Sequence, residues 1–351
     1  MRGLNSKLKF FMKAVYYSKD LGLVYGDLPD PEAGPGEVLV RVHFVGICGS
    51  DLHLYKSRRL PDGTIMGHEC SGTIEGLGDG VLDRKVGDRV IVRPIGCGIC
   101  IACAGGNEHL CPHRRAIGLG QVPGGYAEIL SVPWRMTIPV PDLVPLAYAA
   151  LADPLATALH AIRQARPLQG KSVLILGAGA IGLSLLLLLK RDGVAPILVS
   201  EPNPARGDAA RELGADGVFH PKDPGVFEKI RSATGGPGPA AVFECSGVPE
   251  AFHQGLSSVA KTGEVILIGL GAEPFHLPPL LAVLKETRIL GSFANTQEEC
   301  REVLGMIARQ EIPLERLTGD RIALAELPGV FAGLLAGSPR TKVIVEIKRF
   351  S

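Results

Sequence analysis

The chain lacks both the charge excess and the long apolar runs that direct proteins to nucleic acid or to membranes. Its 37 Lys and Arg residues nearly balance its 36 Asp and Glu residues, and the formal net charge is +1 with no long basic run. This balance argues against nucleic acid and anionic membranes as partners. The most apolar run, residues 183–189, is far shorter than the roughly 20 residues that span a bilayer.

The beginning of the sequence lacks the apolar segment and cleavage site of a signal peptide, so we expect a cytoplasmic protein. Eight cysteines are present, and half of them fall in one short window. Such clustering indicates metal binding more than a disulfide framework, which needs an oxidising compartment.

The composition is that of a globular protein with a sizeable core. Hydrophobic residues make up 46% of the 351 residues and charged residues 21%, and this length favours about two domains. The 45 glycines and 27 prolines indicate a turn-rich fold without low complexity.

A thiol, an imidazole and a carboxylate lie close together in the sequence at Cys48, His68 and Glu69. Zinc takes sulfur, nitrogen and oxygen ligands tetrahedrally and keeps one position open where it is catalytic. These residues are therefore candidate ligands of a catalytic zinc. The alternative is structural, because a Cys48 buried after the apolar run 44–47 and a hydrogen-bonded His68 need no metal.

Three polar residues beside Cys48 add to this hypothesis. Ser50 and His53 are candidates for moving a proton near a bound metal. Asp51 is a candidate for holding the far ring nitrogen of a ligating His68.

A second metal site is predicted from the spacing C-x2-C-x2-C-x7-C, formed by Cys97, Cys100, Cys103 and Cys111. Four thiolates from one compact lobe close a tetrahedral shell, as a structural zinc requires. Disulfides are the alternative, but two-residue spacings bridge poorly in short loops, and no secretion signal supports oxidation.

The two halves of the chain differ in pattern. Short strands between glycine turns, at residues 12–17, 37–42, 72–75, 88–92 and 124–128, predict a β-rich, barrel-like first half. From Lys171 onward, the continuous apolar runs 172–176, 197–200, 240–245 and 264–269 are typical of strands buried in a parallel sheet.

A G-x-G-x-x-G fingerprint at Gly177, Gly179 and Gly182 lies directly between a predicted strand and a leucine-rich helix, which is the context that a dinucleotide site requires. Glu201 ends the next strand, nineteen residues after Gly182. An acidic side chain there binds the adenosine ribose hydroxyls and repels a 2′-phosphate. The sequence therefore predicts NAD rather than NADP, the alternative being a tight turn without nucleotide.

Asp153 stands before Pro154 at the start of a predicted helix. Asp at the N-cap followed by Pro at the first helical position is a favoured helix start, so the local pattern predicts a capping role for Asp153.

Together, the Cys48 element, Gly67-His68-Glu69, the four-cysteine lobe and the fingerprint resemble the zinc-dependent medium-chain dehydrogenase/reductase family, which includes alcohol, sorbitol and threonine dehydrogenases. The motifs occur in the family's order and cover nearly the whole chain from Met12. The resemblance implies an α/β plus β architecture: a GroES-like β-rich catalytic domain of residues 1–153 and 295–351, with a structural zinc lobe at about 94–113, and an inserted Rossmann domain with a doubly wound parallel sheet at 154–294.

Carried over by position, the resemblance makes Cys48 and His68 ligands of the catalytic zinc and Glu69 a ligand or a close neighbour of one. It implies that Ser50 binds the substrate hydroxyl and begins a proton relay whose outer end is His53.

The resemblance also implies the cofactor contacts. Arg206 would reach the adenosine part of NAD, and Lys342 would approach the pyrophosphate. The remaining implied NAD contacts are Gly177, Gly179, Ile181, Gly182, Glu201, Ile268, Gly269, Leu270, Ser292 and Phe293.

Two positions depart from the family pattern. The polyol and threonine branches usually have Glu where this chain has the shorter Asp153. Asp153 therefore either approaches the catalytic zinc, directly or through water, or only caps its helix. Gly49 stands where some alcohol dehydrogenases have a basic residue near the pyrophosphate, which favours the sorbitol and threonine branches.

The sequence therefore predicts a homodimeric or homotetrameric enzyme with two zinc ions per chain that oxidises a secondary alcohol or polyol reversibly with NAD. The alternatives are an NADPH-dependent aldehyde or ketone reductase, which Glu201 disfavours, and a non-catalytic zinc- and nucleotide-binding protein, which Ser50 and His53 disfavour. A zinc-free quinone reductase is disfavoured by the candidate zinc ligands. Substrate contacts come from scattered loops, so no motif specifies which alcohol is bound.

Overall fold

Two sheets dominate the computed structural model, which describes residues 10–271, 273–317 and 320–348. Residues 1–9, 318–319 and 349–351 of the predicted catalytic domain, and residue 272 of the predicted Rossmann domain, lie outside the described residues.

The first sheet is mixed and has seven strands. In chain order they are β3 (Glu37–Gly46), β4 (Glu69–Leu77), β5 (Arg89–Val92), β6 (Ile129–Pro133), β7 (Thr137–Pro139), β14 (Asp320–Ala323) and β15 (Val343–Glu346). Their spatial order is β14-β15-β3-β4-β5-β7, and β6 also pairs with β3. A separate antiparallel pair joins β1 (Phe11–Ser18) and β2 (Gly22–Pro29).

Strand β3 is the centre of this sheet. One of its edges pairs with β4, and the other pairs first with β6 and then with β15. Val38, Val40 and Val42 alternate into the core, as the period of a half-buried strand predicts. Register shifts after Leu39 and after Val42 mark bulges that bend the strand.

The second sheet is parallel and has six strands: β8 (Val173–Leu176), β9 (Ile197–Ser200), β10 (Gly217–Phe219), β11 (Ala241–Glu244), β12 (Glu264–Leu267) and β13 (Arg288–Gly291). The order is β10-β9-β8-β11-β12-β13. The chain therefore leaves β8 toward one side of the sheet and later returns to β11 on the other. In open α/β sheets, ligands bind outside the carboxyl ends of the strands at such a reversal.

The helices of the described residues are α1 (Gly49–Ser57), α2 (Ile101–Ala104), α3 (Leu146–Ala149), α4 (Ala152–Gln164), α5 (Ala180–Arg191), α6 (Pro204–Glu212), α7 (Val226–Ala233), α8 (Pro249–Ser258), α9 (Pro279–Lys285), α10 (Gln297–Ala308) and α11 (Leu327–Leu335). Short 3₁₀ turns occur at Glu108–Leu110, Trp134–Met136, Leu314–Arg316 and Leu324–Glu326. Within these described helices, no candidate for a membrane crossing has the length and apolar character that a span requires.

The end of the chain returns to the first sheet, as the predicted domain interruption requires. Residues 344–346 of β15 pair antiparallel with residues 44–46 of β3. The predicted boundary at 153/154 falls inside α4, and the boundary at 294/295 falls between β13 and α10.

Helix α10 is fixed to α4 by a buried carboxylate. Glu299 accepts hydrogen bonds from the Thr296 amide at 2.8 Å, as in a capping box, and from His160 Nδ1 on α4 at 3.1 Å. Burial raises the pKa of Glu299, but the bonds from His160 and Thr296 outweigh it and lower the pKa to about 2. An ionised Glu299 therefore sets where the segment before α10 lies.

The predicted strand at 124–128 is wrong, because the strand begins only at Ile129. Residues 124–125 instead pack against the loop before β4, where a Cβ on Gly124 would lie 2.2 Å from the Met66 carbonyl oxygen. Ala127 makes only an isolated bridge with Ala14. The two glycines serve a close backbone approach, which a strand-like pattern does not distinguish from a strand.

Candidate active site

Asp51 organises the loop that carries Cys48. The Asp51 side chain is fully buried at the third position of α1, and one of its oxygens accepts from the Cys48 amide at 3.0 Å. The same oxygen accepts from the Tyr126 hydroxyl at 2.9 Å, and the other lies 3.1 Å from His68 Nδ1. Burial raises the pKa of Asp51, but the interaction with His68 and these hydrogen bonds lower it overall.

An ionised Asp51 fixes the tautomer of His68. Because a carboxylate only accepts hydrogen bonds, Nδ1 of His68 carries the proton and Nε2 is left as the available nitrogen. Burial lowers the pKa of His68, but the charges of Asp51 and Cys48 raise it well above the usual value. The pocket therefore favours positive charge on this ring. The negative charges that stabilise a proton on His68 would also stabilise a metal cation bound at Nε2.

Cys48, His68 and Glu69 converge. One ligand atom from each residue lies within 4.8 Å of the other two. Sulfur, nitrogen and oxygen donors at this proximity fit a zinc ion held by three protein ligands, with a fourth position left for substrate or water. The donor set therefore fits the predicted catalytic metal.

Lys342 lies at this metal group, and its predicted contact with the pyrophosphate stays a prediction. Its side chain is fully buried, and Nζ donates to Glu69 Oε2 and to the Ile47 carbonyl oxygen. The reason is strand pairing, because Lys342 immediately precedes β15, whose partner β3 leads into Ile47. Sequence position near the end of the chain does not reveal that pairing.

Gly46 makes room for this ion pair. A Cβ at this position would lie 2.0 Å from Glu69 Oε2 and 2.8 Å from Lys342 Nζ. No side chain larger than hydrogen fits without moving one of the two charged groups, so the glycine at the end of β3 is a requirement of the site.

The N-cap interpretation of Asp153 is wrong. The N-cap of α4 is Leu151, and Asp153 is the second helical residue, because the preceding turn of α3 leads almost directly into α4. Its Oδ1 accepts a hydrogen bond from Asn295 Nδ2 at 3.0 Å. Asp153 lies outside the three-ligand group. Burial raises the pKa of Glu69, and the charge of Asp153 adds to this. Burial lowers the pKa of Lys342, but the charge of Glu69, with a smaller contribution from Asp153, raises it overall.

Ser50 and His53 both lie on α1, three residues apart and so on neighbouring positions of one face. Ser50 Oγ is 3.3 Å from His68 Nε2, beside the candidate metal position. His53 is exposed to solvent. The helix therefore runs from the metal group toward water.

The four lobe cysteines also converge, with sulfur atoms within 4.8 Å of one another. Cys97, Cys100, Cys103 and Cys111 are all free thiols, so the disulfide alternative is not formed. The amides of Cys97 and His113 each point at Cys111 Sγ from 3.3 Å. Backbone hydrogen bonds from Ile99 and Cys100 lower the pKa of Cys97 to about 6. Burial raises the pKa of Cys103 to about 12. Four thiols held as a cluster, with Cys97 stabilised as a thiolate, fit a structural zinc.

The glycine fingerprint forms the turn between β8 and α5. Gly177 has φ of +96°, which only glycine adopts readily, and Gly179 is the N-cap of α5. A Cβ on Gly182 would lie 1.9 Å from the Gly177 carbonyl oxygen, so the third glycine permits close packing of helix against strand. Ile181 lies between them in the first turn of α5.

Glu201 faces this turn. Its carboxylate is nearly buried and accepts from the Ala178 amide at 2.7 Å and from the Asn203 amide at 2.8 Å. The acidic group thus lies at the carboxyl end of β9, beside the loop expected to hold a pyrophosphate.

The other predicted cofactor residues follow the neighbouring strands at the same edge. Ile268, Gly269 and Leu270 come after β12, and Ser292 and Phe293 come after β13. The Ser292 hydroxyl is buried and has no hydrogen-bond partner within the part of the chain that the structure describes. Buried hydroxyls are normally paired, so this orphaned group fits a site completed by a ligand.

Arg206 binds backbone carbonyl oxygens in this structure, and its predicted contact with adenosine stays a prediction. Its guanidinium donates to the carbonyl oxygens of Ser338, Pro339 and Arg340, at 3.2–3.4 Å. The side chain predicted to reach adenosine therefore holds the segment that leads to Lys342 and β15.

Sequence analysis missed three residues that build the site: Gly46, Tyr126 and Asn295. Gly46 stood in the apolar run 44–47 and Tyr126 in the predicted strand 124–128, and nothing in either pattern indicated their partners. Asn295 immediately precedes a recognisable capping pattern at Thr296 and Glu299, but that pattern says nothing about the distant Asp153.

Comparisons with known proteins identify the family of the chain. Residues 34–142 match the alcohol dehydrogenase GroES-like domain, and residues 180–309 match the zinc-binding dehydrogenase domain. The L-threonine 3-dehydrogenase of Pyrococcus horikoshii is 40% identical over 254 residues, which are 71% of this chain and 72% of that protein. The sorbitol dehydrogenase of Bacillus subtilis is 32% identical over 90% of this chain and 91% of its own length.

Among solved structures, a protein of Sinorhizobium meliloti 1021 described as a zinc-binding dehydrogenase, and bound to NADP, superposes with a TM-score of 0.89 at 31% identity. The match covers 96% of this chain and 100% of that one. The fold, the two matched domains and these relatives show that the chain belongs to the zinc-dependent medium-chain dehydrogenase/reductase family.

Proposed function

We propose that this chain is a zinc-dependent dehydrogenase that transfers hydride reversibly between a secondary alcohol or polyol and NAD. The observation that carries the proposal is the convergence of Cys48, His68 and Glu69 within 4.8 Å, with Ser50 Oγ 3.3 Å from His68 Nε2. A donor set with room for one more ligand, beside a hydroxyl group, suits the activation of an alcohol.

Two zinc ions per chain are proposed. Cys48, His68 and Glu69 would hold the catalytic ion, with Asp153 as a further ligand or a neighbour, and the four lobe cysteines would hold the structural ion. When bound, zinc supplies a Lewis acid for the substrate oxygen, and NAD supplies the hydride acceptor.

The chain's own residues would handle the proton. Ser50 is placed to accept it from the substrate hydroxyl, and the exposed His53 on the same face of α1 is the group that would release it to water. Asp51 holds His68 in the tautomer that leaves Nε2 free. Ser50 and Asp51 are both oriented by contacts with His68.

Glu201 supports NAD as the cofactor. Its carboxylate faces the glycine turn through the Ala178 amide, where a 2′-phosphate would bring a second negative charge. The proposed contacts are the glycine turn, Glu201 and the residues after β12 and β13. The predicted contacts of Arg206 and Lys342 would require their cationic groups to leave the partners that hold them here. The rival class, a non-catalytic zinc- and nucleotide-binding protein, has no need of Ser50 and would show no turnover with any alcohol.

A substrate that also carries a carboxylate is a second candidate, and Arg114 is the observation that favours it. Arg114 is half-buried, its guanidinium carbon lies 5.0 Å from the centre of the Phe293 ring, and it has no ion-pair partner among the described residues. Burial lowers the pKa of Arg114, and the nearby charge of Asp153 partly offsets this. Threonine, named for the relative in Pyrococcus horikoshii, combines a secondary hydroxyl with such a carboxylate.

The predicted homodimer or homotetramer stays a prediction. Leu280, Val283 and Leu284, on one face of α9, are 66–69% exposed, and the neighbouring β13 is the edge strand of the parallel sheet. Exposed apolar groups beside a sheet edge are the surface that such an assembly would bury.

Purified protein should contain about two zinc equivalents per chain, measured by elemental analysis after dialysis. Cys97→Ser should lower the content to about one by breaking the four-cysteine shell. Cys245→Ser, which changes a free cysteine outside both ligand groups, should leave two. A wild-type value near one that Cys97→Ser does not change would contradict the structural site.

Turnover should favour NAD over NADP by at least about tenfold in kcat/KM, because like charges in close contact cost several kcal/mol. Glu201→Gln keeps an oxygen for the Ala178 amide but removes the negative charge. It should therefore raise kcat/KM with NADP and so reduce the preference for NAD. Glu212→Gln, on the exposed end of α6, is the control. If the wild type had equal kcat/KM values with NAD and NADP, Glu201 would not face the 2′-position of the adenosine ribose.

Ser50→Ala should reduce kcat by about 10²-fold or more, because it removes the first group of the proton path. Zinc content should stay at the wild-type value, since no ligand is lost. Ser57→Ala, at the other end of the same helix, should leave kcat unchanged. The proposed role of Ser50 is refuted if its alanine variant keeps wild-type turnover with full zinc.

A panel of L-threonine, sorbitol and 2,3-butanediol with NAD would identify the substrate class. If the carboxylate of the substrate binds Arg114, Arg114→Met should lower kcat/KM for threonine by about tenfold or more, the effect of losing a hydrogen bond to a charged group. The uncharged alcohols should change little. Arg115→Met, which removes one positive charge at the exposed neighbouring residue, is the control. If Arg114→Met lowered kcat/KM equally for all three substrates, recognition of the carboxylate by Arg114 would be excluded.

A further inference from the structure

Asn295 is a buried amide between the two predicted domains, and both polar atoms of its side chain are engaged. The side-chain Nδ2 donates to Asp153 Oδ1 and to Thr157 Oγ1, both at 3.0 Å. The side-chain Oδ1 accepts from the Cys300 thiol at 3.1 Å. Only 3% of the residue is exposed.

The backbone around Asn295 is fixed as firmly as its side chain. Its carbonyl oxygen accepts from Arg93 Nη2 at 2.9 Å in a buried hydrogen bond. The next residue, Thr296, is the N-cap of α10, and Ala294 before it has a positive φ of +54°. The amide therefore reaches Asp153 from a rigid support, which is what a group must have to hold another group in place.

The chemistry of the position calls for an amide. Asn295 must donate toward an acceptor, Asp153, and accept from a donor, Cys300, and asparagine offers both kinds of group in one planar unit. An aspartate of the same shape would place a second negative charge against Asp153. Of the two carboxylate oxygens of Asp153, Asn295 Nδ2 binds only Oδ1. The other oxygen, Oδ2, is left for a neighbour.

The neighbour is the metal group. Ser71, two residues after Glu69 on β4, donates its hydroxyl to the Leu146 carbonyl oxygen at 2.6 Å, and α3, which begins at Leu146, leads almost directly into α4. The start of α4, with Asp153, is therefore anchored beside the strand that carries Glu69, although Asp153 is outside the 4.8 Å group. We propose that Asn295 is a positioning residue, which holds the carboxylate of Asp153 so that its free oxygen completes the surroundings of the catalytic metal, directly or through water. This inference rests on the proposed catalytic zinc at Cys48, His68 and Glu69.

The test measures zinc release to a chelator, followed by a colorimetric zinc indicator, and needs no turnover. Loss of a group that orients a metal neighbour typically weakens metal binding by about 10- to 100-fold. Asn295→Asp should therefore speed release of one zinc by about that factor and leave the other unchanged. The two zinc ions should be released in two kinetic phases. The phase that is missing from the release curve of Cys97→Ser belongs to the structural ion.

Two controls separate positioning from general destabilisation. Cys300→Ala removes the opposite hydrogen bond of the same amide and should change release by less than about twofold, since Asp153 keeps its donor. In Asp153→Ala the catalytic zinc should already leave faster, and adding Asn295→Asp should accelerate it no further, because residues acting as a unit are not additive. If Asn295→Asp does not fold, Asn295→Ala removes the donor without adding charge.

Release that stays at the wild-type rate in both Asn295 variants would overturn the inference. The inference would also be overturned if Asn295→Asp accelerated zinc release equally in the wild type and in Asp153→Ala, because Asn295 would then act on the zinc without Asp153. A wild-type protein that binds zinc only in the cysteine lobe would overturn the proposed function and this inference together, so the two failures are distinguishable.

Discussion

The buried ion pair between Glu69 and Lys342 is the constraint from which much of the architecture follows. Both side chains are shielded from water, and removing one partner of such a pair typically costs about 3–5 kcal/mol. To bring Lys342 to Glu69, β15 must lie beside the end of β3, and position 46 must be glycine. The predicted insertion of one domain into the other is therefore joined at the candidate metal site itself, where the two ends of the catalytic domain meet.

The carboxylates around that site are oriented before any ligand arrives. Asp51 is held by the Cys48 amide and the Tyr126 hydroxyl, and Asp153 is held by Asn295. Neutral donors fix a carboxylate without cancelling its charge, so the site stays attractive to a cation while its geometry is restricted. The proposed zinc would then bind with little rearrangement, which is the usual condition for a well-placed reacting group.

Sequence reasoning succeeded where a function is encoded by neighbours in the chain. The cysteine lobe converges, and the fingerprint at Gly177 forms the expected strand-to-helix turn, because spacing alone determines both. It did not reveal contacts that depend on tertiary pairing. Lys342 faces Glu69, and Arg206 binds carbonyl oxygens at 338–340. The Asp-Pro pair at 153–154 resembled a helix start, but α3 continues almost into α4 and moves the N-cap to Leu151. Asn295 could not be found, since its partner lies 142 residues away.

The pairing of β15 with β3 also affects the order in which the protein can be completed during its synthesis. Lys342 follows Glu69 by 273 residues, and at typical elongation rates of about 5–20 residues per second the ribosome needs on the order of tens of seconds to make that stretch. Throughout that interval Glu69 lacks its counter-charge, and the edge of β3 that β15 will cover is open to other strands. Glu69 is thus translated long before the lysine and the strand that complete its surroundings.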